Sequence, residues 1–233
     1  MKTRYDLLLC DADDTMFDFG KAEENAFDDA CAAMGFAATK ELHATYSEIN
    51  AALWKLLEQG GITQKVLRVR RFEQFLERIG RNDLNAQEMA TIFADSLGRQ
   101  SVPIDGAIDA IARWSKIVPV IIVTNGIAKI QHGRMDGSEI RHYIRGMVIS
   151  EEVGAAKPDP KMLEMGMEMS GVTDRSRVLV LGDSLSSDMT AAYNAGVDAC
   201  WYNPKKNENK KGLPIRYEIE DLDDVDAILL GTR

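Results

Sequence analysis

Short unbroken apolar runs, with helical spacing between them, set one rhythm of the chain. The runs are Leu7–Cys10, "IVPVIIVTN" at 117–125, "GMVIS" at 146–150, "RVLVLGD" at 177–183 and "DACWYN" at 198–203. Runs that do not alternate suit strands covered on both faces, as in a parallel sheet flanked by helices. Between them, "AIDAIARWS" and "SDMTAAYNAG" have helical spacing, and Gly196 stands where a helix C-terminal cap belongs. The pattern predicts an α/β fold with a doubly wound parallel sheet.

Residues 20–100 keep a different rhythm, with no strand-like alternation. Phe27, Cys31 and Met34 share one helical face, closed by Gly35. Tyr46, Ile49, Leu53 and Leu56 share a second face, and Val66, Val69, Phe72, Leu76 and Ile79 a third. Met89, Ile92 and Leu97 mark a fourth, with Asn85 as N-cap and Glu88 three residues on. Four amphipathic helices can bury these faces against one another as a bundle. The expected organisation is an α/β core at 1–18 and 101–233, with an all-helical insertion at 19–100. The tract "NPKKNENKKG" at 203–212 reads as a solvated loop.

Composition narrows the function. The net charge of −9 argues against a nucleic-acid polymer as partner, since that needs a basic footprint. Cys10, Cys31 and Cys200 have neither zinc nor redox spacing; two of them sit in apolar contexts and fit buried thiols, and the usage fits a reduced compartment. No stretch reaches the ~18 apolar residues of a membrane helix, and the N-terminal apolar run is short for a signal peptide. The expectation is a cytoplasmic protein with no membrane partner.

The chemistry gathers where ligands bind in such sheets, outside the carboxyl ends of the strands. The first strand ends in Asp11-Ala12-Asp13-Asp14-Thr15, and the second in Thr124-Asn125-Gly126. Lys157-Pro158 follows the third, and the fourth ends in Gly182-Asp183-Ser184 with Asp188 beyond. Crowded carboxylates repel, so a cation, a shared proton or open water must offset them. Oxygen donors without His or Cys select a hard ion such as Mg²⁺, which is held by one or two carboxylates together with substrate phosphate. Asp11 and Asp183 can be those carboxylates. Lys157 suits a phosphoryl oxygen, and Thr124 can bind another. A carboxylate can also attack phosphorus. Asp13, two residues on, can protonate the leaving oxygen, although aspartate's ordinary pKa of ~3.9 is low for that task.

These residues resemble the haloacid dehalogenase superfamily of phosphotransferases. "DADDT" matches its D-x-D-x-T motif, "VTN" the strand ending in Ser or Thr, "AAKPDP" the lysine motif and "LGDSLSSD" the G-D-x-x-x-D motif. The helical insertion matches the cap that one subclass carries after its first motif. "VISEEVGAAKPDP" and "NAGVDACWYNP" resemble the branch of pyrimidine 5′-nucleotidases.

The resemblance implies Asp11 as nucleophile and metal ligand. It implies Asp13 as general acid/base whose backbone carbonyl reaches the metal, and Thr15 as a support of that loop. Thr124 would bind phosphate, Lys157 would steady nucleophile and phosphoryl group, and Asp183 would ligate Mg²⁺ with Asp188 behind it. The expected substrate-binding set is Thr15 and Asn125 with Lys65 and Arg68; these last two come from the basic run Lys65, Arg68, Arg70 and Arg71 on the third helix, which is otherwise a solvated face. Asp14 stands where the family often carries Gly and is given no catalytic role. Tyr46, Trp54 and Phe72 are candidates to stack on a base, against the plainer reading of all three as bundle core.

The implied activity is a Mg²⁺-dependent phosphomonoesterase with an aspartyl-phosphate intermediate. Its substrate would be a small phosphorylated metabolite, a pyrimidine nucleoside 5′-monophosphate first, and the protein a monomer or homodimer. The alternatives are a sugar-phosphate phosphatase or phosphomutase of the same fold, a dehalogenase proper, and a receiver-like phospho-accepting module. Asp13 argues against the dehalogenase, because halide leaves without an acid. The helical insertion argues against the receiver.

Overall fold

The structure is a computed structural model and describes residues 3–233, apart from the Glu58 side chain. It divides into two compact units, Met1–Phe19 with Ser101–Arg233, and Gly20–Gln100.

In chain order the elements are β1 (Leu7–Cys10), α1 (Phe19–Ala33), α2 (Lys40–Glu58), α3 (Gln64–Arg78), α4 (Ala86–Leu97) and α5 (Ala107–Trp114). There follow β2 (Val120–Thr124), α6 (Ala128–Asp136), β3 (Gly146–Ile149), α7 (Ser150–Val153), α8 (Lys161–Ser170) and β4 (Val178–Gly182). The chain ends with α9 (Thr190–Ala195), β5 (Asp198–Tyr202), β6 (Tyr217–Ile219) and α10 (Asp224–Leu230).

The α/β unit is a six-stranded parallel sheet in the order β3-β2-β1-β4-β5-β6. Successive side chains of β1 enter different cores. Leu8 and Cys10 pack with Ile111 and Trp114 of α5 and Val225 and Ile228 of α10. Leu7 and Leu9 pack with Met162 and Leu163 of α8 and Ala191 and Ala192 of α9. Two covered faces explain why the strands read as unbroken apolar runs. At Gly166 of α8, a Cβ would meet Leu9 Cδ2 at 2.7 Å, so a hydrogen there is what lets helix and strand approach.

The sheet order reverses at β1, which places the ends of β1 and β4 side by side at a topological switch point. Two local results differ from the sequence pattern. The run at 117–125 pairs only from Val120, because Pro119 has no N–H to give; its carbonyl accepts from Leu8 N at 3.1 Å. The sheet also gains β6, three residues long and too short to register as a strand in the pattern.

The helical unit packs around an aromatic cluster. Phe27 stacks on Tyr46 at 4.6 Å between ring centroids, and Tyr46 stacks on Phe72 at 5.6 Å. Phe75 and Phe93 close the cluster. Tyr46 and Phe72 are therefore bundle core, the plainer of their two readings. The face of α3 is turned from the expected one. Leu67, Arg71, Phe72, Phe75 and Leu76 are buried, while Val66 is exposed. Arg71 takes an inward position because its guanidinium lies over Phe93, 4.5 Å from the centroid, and donates to Asn50 at 3.3 Å. Asn85 caps α4 as expected, accepting from Gln87 N and Glu88 N. Among the described residues no helix is long and apolar enough to cross a membrane.

Candidate active site

Every strand of the sheet ends at the same rim, so the residues that follow β1, β2 and β4 meet there. Asp11 follows β1, and its N–H continues the ladder to Leu181 O at 2.9 Å. The chain then turns sharply. Met16 N and Phe17 N both donate to Ala12 O, and Asp14 N to Phe17 O. Asp14 takes φ 58° at this turn, the left-handed region that glycine fills without strain, and accepts from Phe19 N at 3.2 Å. Asp14 thus acts on the backbone. Thr15 is fully buried in the same turn, and its Oγ1 has no hydrogen-bond partner among the described residues.

Lys157 is the centre of charge. It is buried, and its ammonium donates to Asp11 Oδ1 at 2.5 Å, Asp188 Oδ1 at 2.6 Å and Val123 O at 2.6 Å. Three donors meet three acceptors, so the ammonium is held without water. Asn125 fixes its backbone: Lys157 N donates to Asn125 Oδ1 at 2.7 Å, and Asn125 Nδ2 donates to Lys157 O at 2.8 Å. Asn125 therefore positions the lysine loop. Thr124 is buried, and its Oγ1 accepts from Gly126 N at 3.1 Å.

Asp11, Asp183 and Asp188 bring one carboxylate oxygen each within 4.8 Å of one another. Asp188 also accepts from Ser184 N at 3.1 Å, and Asp183 is held by Trp201, whose Nε1 donates to its backbone carbonyl at 2.7 Å. Three ionised carboxylates against one ammonium would leave two negative charges in a poorly hydrated place. Burial, then repulsion from Asp188, push the Asp11 carboxyl well above the usual range despite Lys157. Burial and the same neighbour push Asp183 up to about 7. Burial alone would pull Lys157 down, but Asp11 and Asp188 outweigh it and raise it, so the ammonium stays charged. Asp11 is 9% exposed, so open water does not relieve the crowding. A divalent cation fits this all-oxygen, net-negative donor set, and Mg²⁺ fits its chemistry.

Asp13 is placed differently from the other three. Its carboxylate turns to α6, where Arg134 Nη1 donates to Oδ1 and Gln131 Nε2 donates to Oδ2 at 2.7 Å. Neither residue belongs to a motif that marks it in the sequence. Their spacing of three on α6 was the available signal, but "AKIQHGRMD" has no clear apolar face to show which side is buried. The remaining candidates, exposed Lys65 and half-buried Arg68, lie on α3 in the helical unit.

Residues 5–196 match the family profile of haloacid dehalogenase-like hydrolases. The chain is 30% identical over 228 residues to the pyrimidine 5′-nucleotidase YjjG of Escherichia coli, covering 97% of this chain and 98% of that protein. It is 31% identical to the pyrimidine 5′-nucleotidase PynA of Streptococcus pneumoniae, covering 95% and 93%. Among solved structures, the HAD-hydrolase YfnB of Bacillus subtilis, bound to magnesium, superposes with a TM-score of 0.90 at 30% identity over 97% of this chain and 99% of that one.

Proposed function

The chain belongs to the haloacid dehalogenase-like hydrolases, and on that premise we propose that it is a Mg²⁺-dependent phosphatase of nucleoside 5′-monophosphates, pyrimidines before purines. One observation carries the phosphatase reading: a buried lysine tied to two aspartates at the switch point, with a third aspartate beside them. The finer substrate reading rests on the two nucleotidase relatives.

The proposed chemistry assigns these residues the following roles. An Asp11 carboxylate oxygen attacks phosphorus, the bond from phosphorus to the ester oxygen breaks, and Asp13 gives its proton to the departing oxygen. Water then attacks the aspartyl-phosphate. Asp13 takes one of its protons, the bond from Asp11 to phosphorus breaks, and phosphate leaves with the aspartates restored. Lys157 holds Asp11 in place, and its positive charge offsets the charge that develops on the phosphoryl oxygens. Thr124 contributes its hydroxyl to the same group. Asp11 and Asp183, with the backbone carbonyl of Asp13, would hold Mg²⁺, and Asp188 would orient the lysine behind them. When bound, the ion neutralises phosphoryl charge as a Lewis acid.

Two expected results follow here. Chelation should abolish phosphate release, and Mg²⁺ should restore it better than Ca²⁺, whose longer and more numerous bonds misplace the nucleophile. Independently of activity, Mg²⁺ at about 100 times its Kd should stabilise the fold by about 2.7 kcal/mol; thermal melts of wild type and Asp183→Asn, with and without the ion, check this. A Mg²⁺ shift that survives Asp183→Asn places the ion elsewhere.

Gly182 gives the second result. A Cβ there would overlap the Asp188 carboxylate, the nearest atoms to it. Gly182→Ala should therefore move Asp188 and, through it, Lys157, and lower kcat by up to about 100-fold, the loss that a ~1 Å misplacement can cause. Steady-state kinetics beside a melting curve separates this from unfolding.

The substrate reading is tested by kcat/KM for dUMP, dTMP and UMP against AMP, GMP and a set of sugar phosphates. A pyrimidine monophosphate should lead. A sugar phosphate ahead by tenfold, about 1.4 kcal/mol in transition-state binding, would leave a phosphatase that is not a nucleotidase.

A further inference from the structure

Both oxygens of the Asp13 carboxylate are taken by one helix. Arg134 and Gln131, three apart on α6, donate to Oδ1 and Oδ2 respectively. Both donors are buried, Arg134 at 0% and Gln131 at 2% exposure, and Asp13 is half-buried. The Arg134 guanidinium is held over the ring of Phe17, 4.8 Å from its centroid, and lies 5.8 Å from that of Phe19. Its backbone carbonyl accepts from Ser101 Oγ at 2.6 Å. The Gln131 side chain lies against Gly126, where a Cβ would meet its Cγ at 2.6 Å. The pair is thus keyed to the turn after β1 on one side and the loop after Thr124 on the other.

From this geometry we propose that Gln131 and Arg134 are positioning residues, which fix the plane of the Asp13 carboxylate for proton transfer with the leaving oxygen. A carboxylate has about four acceptor sites. One donor on each oxygen fixes the plane and leaves each oxygen a site for the reacting proton. The plainer reading is a buried ion pair that only ties α6 to the turn. Fold maintenance would affect all substrates alike, whereas positioning of Asp13 affects only those whose leaving group needs a proton.

The inference rests on the phosphatase reading, and the test separates the two. The measured quantity is kcat/KM, which reports steps up to the first irreversible one, for a nucleoside monophosphate and for p-nitrophenyl phosphate. The alkoxide leaving group of the nucleotide needs an acid, and nitrophenolate does not. Arg134→Met should lower kcat/KM about 100-fold on the nucleotide and less than about threefold on p-nitrophenyl phosphate. The double variant Asp13→Asn/Arg134→Met should lie within about threefold of Asp13→Asn alone, because the second change has nothing left to position. Gln131→Leu, which keeps the buried charge, should show the same pattern in milder form and serves if Arg134→Met does not fold. Equal losses on both substrates, additive losses in the double variant, or no loss at all would overturn the inference. A wild type that releases no phosphate from either substrate would overturn the underlying phosphatase reading instead.

Discussion

Asp11→Asn is expected to lose at least about ten-thousand-fold in kcat, about 5 kcal/mol of transition-state stabilisation, while remaining folded. The amide has no charged oxygen to attack phosphorus and is a weaker ligand for a hard cation. The fold should tolerate it for a structural reason. Lys157 keeps Asp188 and Val123 O as acceptors, and the removed charge was itself crowded by burial and by Asp188. Kinetics on a nucleoside monophosphate and a melting curve together give the answer. A folded variant that keeps more than a few per cent of wild-type turnover would remove Asp11 from the nucleophile's role.

Lys157→Met is expected to damage both stability and rate. The methionine fills most of the space of the lysine stem but supplies none of the three hydrogen bonds to Asp11, Asp188 and Val123 O. Two buried carboxylates then face each other without their ammonium. Breaking a buried pair in this way costs about 3–5 kcal/mol, and part of that loss is avoided if one carboxyl takes up a proton. If the proton sits on Asp11 it also silences the nucleophile. The rate should fall about 100- to 1,000-fold even where the protein is folded. Mg²⁺ should recover stability more than rate, since the ion offsets charge but does not replace the lysine's position. Denaturant midpoints with and without Mg²⁺, beside kcat, check both parts. A variant within about 1 kcal/mol of wild type in the absence of the ion would mean that the lysine is not what balances the cluster.

The sequence made the α/β core readable because β1, β2, β4 and β5 are buried on both faces and appear as plain apolar runs. The strand-end residues were readable for the same reason: each stands at or just past the end of such a run. Asp11, Thr124 and Asp183 need no knowledge of tertiary contacts to be placed at a strand end. What escaped was set by contacts between distant segments. Gln131 and Arg134 are polar residues buried by their partnership with Asp13, more than 100 positions earlier, and no periodicity in α6 distinguishes them from solvated ones. The rotation of α3 escaped because Arg71 reads as surface until its place over Phe93 is known. The role of Asn125 as a clamp on Lys157 was hidden likewise, because the two are joined only through their loops. β6 is three residues long and pairs only at the sheet edge.

The account turns on two successive in-line displacements at phosphorus, first by Asp11 and then by water. The stereochemical course measures this directly, using a nucleoside phosphorothioate made chiral at phosphorus with oxygen isotopes and hydrolysed in isotopically labelled water. Two displacements predict retention of configuration in the released thiophosphate. Inversion would mean that water attacks the substrate in a single step, and would contradict the aspartyl-phosphate and with it the nucleophilic role of Asp11.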